Sequence, residues 1–178
     1  MRFQTNNLVF RELDKDDKLD VYHLFSDPKV LTLDQSDEIK ELKDAEFLIK
    51  KAKELNRTPY NINWGVELVS EKKIIGTCGF KNWDRISRHA EIGGNLSSEF
   101  WGKGYATEAV HALLEFGFRK MSLHKITAST NCKNQRAIKV LDKYGFQRDG
   151  VLREHQLLDG EFIHVYTYSL LKKEFPSF

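Results

Sequence analysis

The chain has 178 residues and a mass of 20.8 kDa; 40% of the residues are hydrophobic, 30% are charged and twelve are phenylalanine. That balance excludes disorder, collagen and coiled coil, and suffices for one sizeable core. Lys and Arg number 28 against 26 acidic residues, a net charge of +2 with a pI near 8.4, too mild for the electrostatic footprint of a nucleic-acid binder. Cys78 and Cys132 are read as reduced thiols in a cytoplasmic setting. No apolar run approaches the roughly 18 residues of a membrane span, so neither nucleic acid nor membrane is an expected partner.

With prolines only at Pro28, Pro59 and Pro176 and no Gly/Ser/Pro-rich linker, residues 1–178 are taken as one domain. Leu8 to Leu13 reads as a strand. The acidic group Asp14, Asp16 and Asp17 precedes a helix through Leu19, Val21, Leu24 and Phe25, which Pro28 is expected to stop. Ala45, Leu48, Ile49, Ala52 and Leu55 fall at helical spacing and predict an amphipathic helix ending before Pro59. Three strand-like runs follow, Asn63 to Val69, Ile74 to Trp83 and Ala90 to Leu96, the first two joined at Ser70, Glu71 and Lys72 as in an antiparallel meander. Ala106, Ala109, Val110, Leu113, Leu114 and Gly117 predict a helix face, and Lys125 to Thr130 a strand. Ala137, Val140, Leu141 and Tyr144 predict a helix stopped at Gly145. Val151 to Leu157 and Phe162 to Leu171 flank Asp159-Gly160 as a closing hairpin. The sum is an α+β fold with a mixed, mostly antiparallel twisted sheet flanked by helices.

The sharpest local feature is Trp101-Gly102-Lys103-Gly104-Tyr105-Ala106, between the strand ending near Leu96 and the helix beginning near Gly104. Glycines there let a turn curl its N–H groups toward one point at a helix N-terminus, where an anion such as a pyrophosphate is favoured. Lys103 adds peripheral positive charge. A P-loop would need glycine where Ser97 stands and Ser or Thr where Gly104 stands; a dinucleotide fingerprint would need glycine or alanine at Thr107 and a parallel βαβ unit. An unliganded strand-to-helix turn remains as the bland reading. Downstream lies a second constellation, Asn131-Cys132-Lys133-Asn134-Gln135-Arg136-Ala137-Ile138 followed by Lys143-Tyr144-Gly145-Phe146.

Taken together, Ala90 to Phe146 resembles the GNAT superfamily of acyl-CoA N-acyltransferases, and the flanking stretches Leu8 to Asp27 and Gly150 to Phe175 resemble its RimJ/RimL branch of ribosomal-protein N-terminal acetyltransferases. The resemblance implies that the main chain of Trp101, Gly102, Lys103, Gly104, Tyr105 and Ala106 holds the pyrophosphate of acetyl-CoA, with Trp101 in place of the usual Arg or Gln. It implies main-chain pairing of Leu96 and Ser97 with the pantetheine arm, and a hydrogen bond from Asn134, which is also a natural N-cap. It further implies transfer of an acetyl group to a primary amine, most simply a protein N-terminal α-amine. An α-amine with pKa near 7.8 is deprotonated at about 3.5 kcal/mol less cost than a lysine-like amine near 10.4.

The resemblance also implies Glu91, at a strand position where several members place a carboxylate, as the candidate base, taking the amine proton directly or through water; an exposed strand carboxylate or a salt bridge is its plainer reading, and an N–H near Asn95 or Leu96 would face the developing oxyanion. Relatives place a Tyr or Ser proton donor where this chain has Leu141 and Ala137; Tyr144, on the same stripe, is the candidate that carries a hydroxyl. Two alternatives stand beside the N-terminal acetyltransferase: an enzyme acting on polyamines or aminoglycosides, to which Asp34, Asp37 and Glu38 would be attractive, and a silent acyl-CoA-binding module. Nicotinamide-dinucleotide binding is a third reading. His89-Ala90-Glu91 lacks the paired cysteines of a zinc deaminase, no metal is expected, and His155 and His164 are read as structural. Phe175 and Phe178 could pack internally or across a homodimer.

Overall fold

The computed structural model describes residues 1–33 and 39–176. One eight-stranded sheet organises the chain. Its strands are β1 (Phe3–Gln4), β2 (Leu8–Arg11), β3 (Ile62–Leu68), β4 (Lys73–Asp84), β5 (His89–Leu96), β6 (Lys125–Asn131), β7 (Gln147–Leu158) and β8 (Glu161–Leu171), and their spatial order is β1-β2-β3-β4-β5-β6-β8-β7. Every pairing is antiparallel except β5 with β6. The meander and the closing hairpin are therefore as the sequence predicts. The Asp159-Gly160 turn has φ of 49° and 80°, the positive pair that a two-residue hairpin of this twist requires.

The helices are α1 (Lys18–Phe25), α2 (Pro28–Leu31), α3 (Leu42–Asn56), α4 (Tyr105–Glu115) and α5 (Gln135–Lys143). Adjacent residues of β4 show how the faces divide. Ile74 packs with Val21, Ala45 and Ile49 of α1 and α3, whereas Ile75 packs with Leu113, Leu114 and Phe118 from α4 and its continuation, as the period-two alternation of a strand dictates. Trp64 is 2% exposed, boxed by Phe3, Phe80 and Phe116 with centroids 5.1–6.3 Å away. Its Nε1 donates to the Met1 carbonyl at 3.1 Å, so this core aromatic is also satisfied.

Pro28 departs from the expectation. The first helix already ends at Phe25, and Pro28 opens α2, with Asp27 as N-cap accepting from Lys29 N–H at 2.9 Å. Proline suits a first helical position because the N–H it lacks would be unpaired there. Asp17, read as part of a polar cluster, is 7% exposed and takes both ends of the Arg11 guanidinium at 2.7 and 2.8 Å. Arg11 also donates to Glu67 at 2.6 Å. At the end of α5, Phe146 N–H bonds Leu141 O and Gly145 N–H bonds Asp142 O, the two bonds of a Schellman stop at the predicted glycine.

The feature that positions the site is where β5 and β6 part. Their parallel pairing runs from His89↔Lys125 to Ile92↔Ala128 and ends there. Beyond that point β4 still accompanies β5 to Leu96, and β8 still accompanies β6 to Asn131. The sheet opens like a V between Gly93–Leu96 and Ser129–Asn131.

Candidate active site

The V opens into a cleft of about 860 Å³, floored by Gly93, Gly94 and Leu96 of β5 on one side and Ser129, Thr130 and Asn131 of β6 on the other. The glycine turn and the N-terminus of α5 form its rim. Strand parity decides which main-chain groups face it. Ser97 N–H donates to Ile75 O of β4 at 2.8 Å, so by alternation the groups of Glu91, Gly93 and Asn95 also face β4 and those of Ile92, Gly94 and Leu96 face the gap. The Ala90 carbonyl, of the same parity, accepts from Thr127 Oγ1 on the β6 side at 3.4 Å.

Ser97 turns its N–H to Ile75 O, away from the gap, and its carbonyl accepts Phe100 N–H at 3.0 Å. Leu96 presents to the gap an N–H unpaired among the described residues, and its carbonyl accepts the Trp101 indole N–H at 2.8 Å. Gly94, of the same parity as Leu96, also turns its main-chain groups to the gap. Of the two N–H groups considered for an oxyanion, that of Asn95 points into β4 and that of Leu96 into the gap.

The glycine turn has the form the sequence implies. Gly102 and Gly104 have φ of +75° and +88°, and Gly104 is the N-cap of α4. Trp101 N–H is bonded to Ser98 O at 3.2 Å, but among the described residues the main-chain N–H groups from Gly102 through Thr107 have no hydrogen-bond partner, the next bond being Glu108 N–H to Gly104 O at 3.0 Å. The donor run is thus shifted by one residue from the predicted 101–106. Six unpaired amides at the positive end of a helix dipole make a site for a polyanion. Lys103 brings its N–H but not its ammonium, which lies 5.0 Å from the Phe100 ring centroid. Asn134 caps α5, its Oδ1 accepting from Ala137 N–H at 3.1 Å, and it lines the cleft.

Glu108, in the first turn of α4, would repel an anion if it faced the amides. It is instead turned to the β1–β2 connection, accepting from Thr5 Oγ1 at 2.5 Å and from Asn7 N and Nδ2 at 2.8 Å each. Burial pushes this carboxyl up, but the donated hydrogen bonds outweigh it and hold the group below the usual glutamate value. A carboxyl with a depressed folded pKa stabilises the fold above its unfolded pKa, and that stabilisation is withdrawn as the pH falls through the folded value. Glu108→Gln is accordingly expected to cost about 1–2 kcal/mol at neutral pH, allowing for solvent screening. That corresponds to a Tm about 3–6 °C lower, with the difference from the parent shrinking below pH 4–5, roughly. Thermal unfolding of both proteins across pH checks it.

Glu91 lines the cleft, its side chain 18% exposed, with Oε1 3.2 Å from Lys81 Nζ and Oε2 accepting from Asn82 Nδ2 at 3.4 Å. Lys81 is its direct cross-strand partner, and the register shift that follows, between Lys81 and Asp84, carries Asn82 at φ +54°. Such a bulge re-aims side chains beside functional sites. Tyr144 goes elsewhere: its hydroxyl donates to Thr107 O at 2.8 Å and its ring stacks on His111 at 5.9 Å, tying α5 to α4. The hydroxyl is spent on that tie. Leu141 and Ala137 do line the cleft, and neither can donate a proton.

Four residues about the cleft make contacts that no sequence motif assigned to them. Lys81 pairs with Glu91. Asn131, 2% exposed, donates to Leu33 O at 2.8 Å and accepts from Lys133 N–H at 3.0 Å, fastening the end of β6. Asp27 Oδ2 accepts from Ser98 N–H at 3.2 Å, fixing the approach to the glycine turn. Arg136 lies over the Trp101 ring. None announces itself by spacing; only the acidic residue before Pro28 carried a capping signal. His155 lines the cleft, and His164 Nδ1 accepts Glu154 N–H at 2.9 Å across the bulged hairpin. Phe175 packs internally, 5.4 Å from Phe118 and 5.8 Å from His111. Asp34, Asp37, Glu38 and Phe178 lie outside the described residues. Among the described residues no three His, Cys, Asp or Glu side chains converge on a point, and no helix is long and apolar enough to cross a membrane.

The family model described as an acetyltransferase (GNAT) domain matches residues 7–147. The chain belongs to this family. Its relatives include the uncharacterized N-acetyltransferase p20 of Bacillus licheniformis, 32% identical over 171 residues that span 96% of each chain. The [ribosomal protein uS5]-alanine N-acetyltransferase of Escherichia coli is 34% identical over 99 residues, 54% of this chain and 51% of that one; this match accords with the resemblance to the RimJ/RimL branch. Among solved structures, spermidine N-acetyltransferase from Vibrio cholerae, in complex with CoA and spermine, superposes with a TM-score of 0.82 at 22% identity over 96% of this chain and 98% of that one. The GNAT family uses acetyl-CoA, and the chain is an N-acetyltransferase of that family.

Proposed function

We propose that this GNAT enzyme binds acetyl-CoA along the open edge of β5 and transfers its acetyl group to the α-amine of a protein N-terminus. The observation that carries the reading is the run of unpartnered amides from Gly102 to Thr107 at the rim of the β5–β6 cleft, whose directed N–H groups suit a diphosphate. Gly94 and the Leu96 N–H offer a strand-like edge to the amides of a pantetheine arm. The thioester supplies an activated acyl group; the chain's own contribution is to orient it, to present the Leu96 N–H toward the gap, and to accept a proton at Glu91 directly or through one water. With Tyr144 engaged at Thr107, a thiol of ordinary pKa near 8.5 leaves with a proton from water.

Charge favours a single amine over a polyamine. Among the described lining residues Glu91 is the one carboxylate, and it is already paired with Lys81, while Arg136 and Lys139 add two further cations. With no unpaired carboxylate among these residues, a polycation finds no second anionic contact there, whereas a peptide α-amine, about half neutral near its pKa of about 7.8, needs only the one proton acceptor at Glu91. Thiol release from acetyl-CoA with peptides beginning in Ala or Ser, with spermidine and with an aminoglycoside separates the readings. Turnover of the peptides at least about tenfold above the polyamine is expected. Preference for spermidine would overturn the acceptor, and coenzyme binding without turnover on any amine would make the chain a silent binding module.

A further inference from the structure

The turn's first position holds Trp101, which brings no charge to a diphosphate. The structure compensates from the facing element. Arg136, the second residue of α5, places its guanidinium carbon 3.9 Å from the Trp101 ring centroid, while the indole is pinned by its Nε1 bond to Leu96 O at 2.8 Å. The ring is thereby a fixed shelf, and a guanidinium stacked on it keeps its N–H edge free to point sideways. Among the described residues no carboxylate lies within ion-pair distance of Arg136. Arg136 lines the same cleft as Gly102, Gly104 and Ala106. An unpaired, pre-oriented guanidinium beside a set of open amides is the arrangement that recognises a phosphate with paired, charge-assisted hydrogen bonds.

We infer that Arg136, positioned by Trp101, is a binding residue for the diphosphate of the coenzyme, replacing across the cleft the charge that the turn itself lacks. This rests on the coenzyme reading above. Lysine would not substitute fully, because an ammonium loses both the flat stack and the fork.

Calorimetric titration of CoA and of dephospho-CoA into the folded parent protein, Arg136→Gln and Arg136→Lys tests it. The expected result is roughly tenfold weaker binding of both ligands by Arg136→Gln, with partial recovery in Arg136→Lys. Lys50→Gln, an exposed charge on α3, is expected to leave affinity unchanged. In a Trp101→Ala background the Arg136→Gln effect should shrink to about threefold or less, the coupling expected of residues that act together. Affinity within twofold of the parent for Arg136→Gln overturns the assignment, as does a loss confined to CoA, which would put the guanidinium on the 3′-phosphate. If the parent takes up no CoA, the coenzyme reading itself fails, a result distinct from a parent that binds and a variant that binds equally well.

Discussion

Gly104→Val is expected to raise the dissociation constant for CoA by at least about a hundredfold while lowering Tm by only about 3–8 °C. The reason is backbone conformation. Gly104 sits at φ +88°, in the left-handed region, as the N-cap of α4; an L-residue pays about 1–2 kcal/mol there, and a β-branched one is a genuine outlier. A Cβ at this position meets no atom within 4 Å, so the chain itself does not clash with the new side chain. The strain is relieved by rotating the turn, and that scatters the amides from Gly102 to Thr107. Hydrogen bonds to a charged partner contribute about 1.5–3 kcal/mol each, so misaligning two of them accounts for the affinity loss. The substitution also places a side chain on the cleft rim, where Gly104 lies. Calorimetry and thermal unfolding on the same preparation check both halves. An unchanged dissociation constant would show that the turn does not hold the coenzyme.

Glu91→Gln is expected to lower kcat by about 10²–10⁴, the range for a lost general base, with CoA affinity within about twofold of the parent. The amide keeps the side chain's size but gives up the proton-accepting role. Its location favours a split between chemistry and binding: Glu91 is paired with Lys81 and Asn82 on the first half of β5, whereas the amides that suit the diphosphate begin at Gly102. Steady-state kinetics with a peptide acceptor, together with CoA titration, measures the two separately. A variant with parental kcat would make Glu91 a structural ion-pair partner of Lys81, and a variant that lost CoA binding would make it a determinant of the cleft's shape.

How much of this was legible in the sequence depends on whether the cause was local. The hairpin at Asp159-Gly160, the stop at Gly145 and the glycine turn at Gly102 and Gly104 are set by backbone preferences that a few neighbouring residues declare, and they appear at the expected positions. β1 is two residues long, Phe3–Gln4, too short for alternation to show. Pro28 carries one signal for two events, the end of a helix and the start of another. Which edge of β5 faces the cleft depends on pairing with β4, so Ser97 could not be separated from Leu96 without seeing Ile75. Tyr144 lies just beyond the last residue of α5, where helical spacing no longer gives its direction, and its hydroxyl turns to Thr107. The Trp101–Arg136 stack joins residues thirty-five positions apart, and the opening between β5 and β6 is a property of three neighbouring pairings rather than of any one segment.

We propose above all that the main-chain N–H groups from Gly102 to Thr107 hold the coenzyme's diphosphate. A titration of the isotopically labelled, folded protein with CoA, followed by amide nuclear magnetic resonance, observes those groups individually. The largest downfield proton shifts are expected at Gly102 through Thr107, saturating together with smaller changes at Gly94 and Leu96. Saturable shifts centred elsewhere, with the turn unmoved, would contradict it.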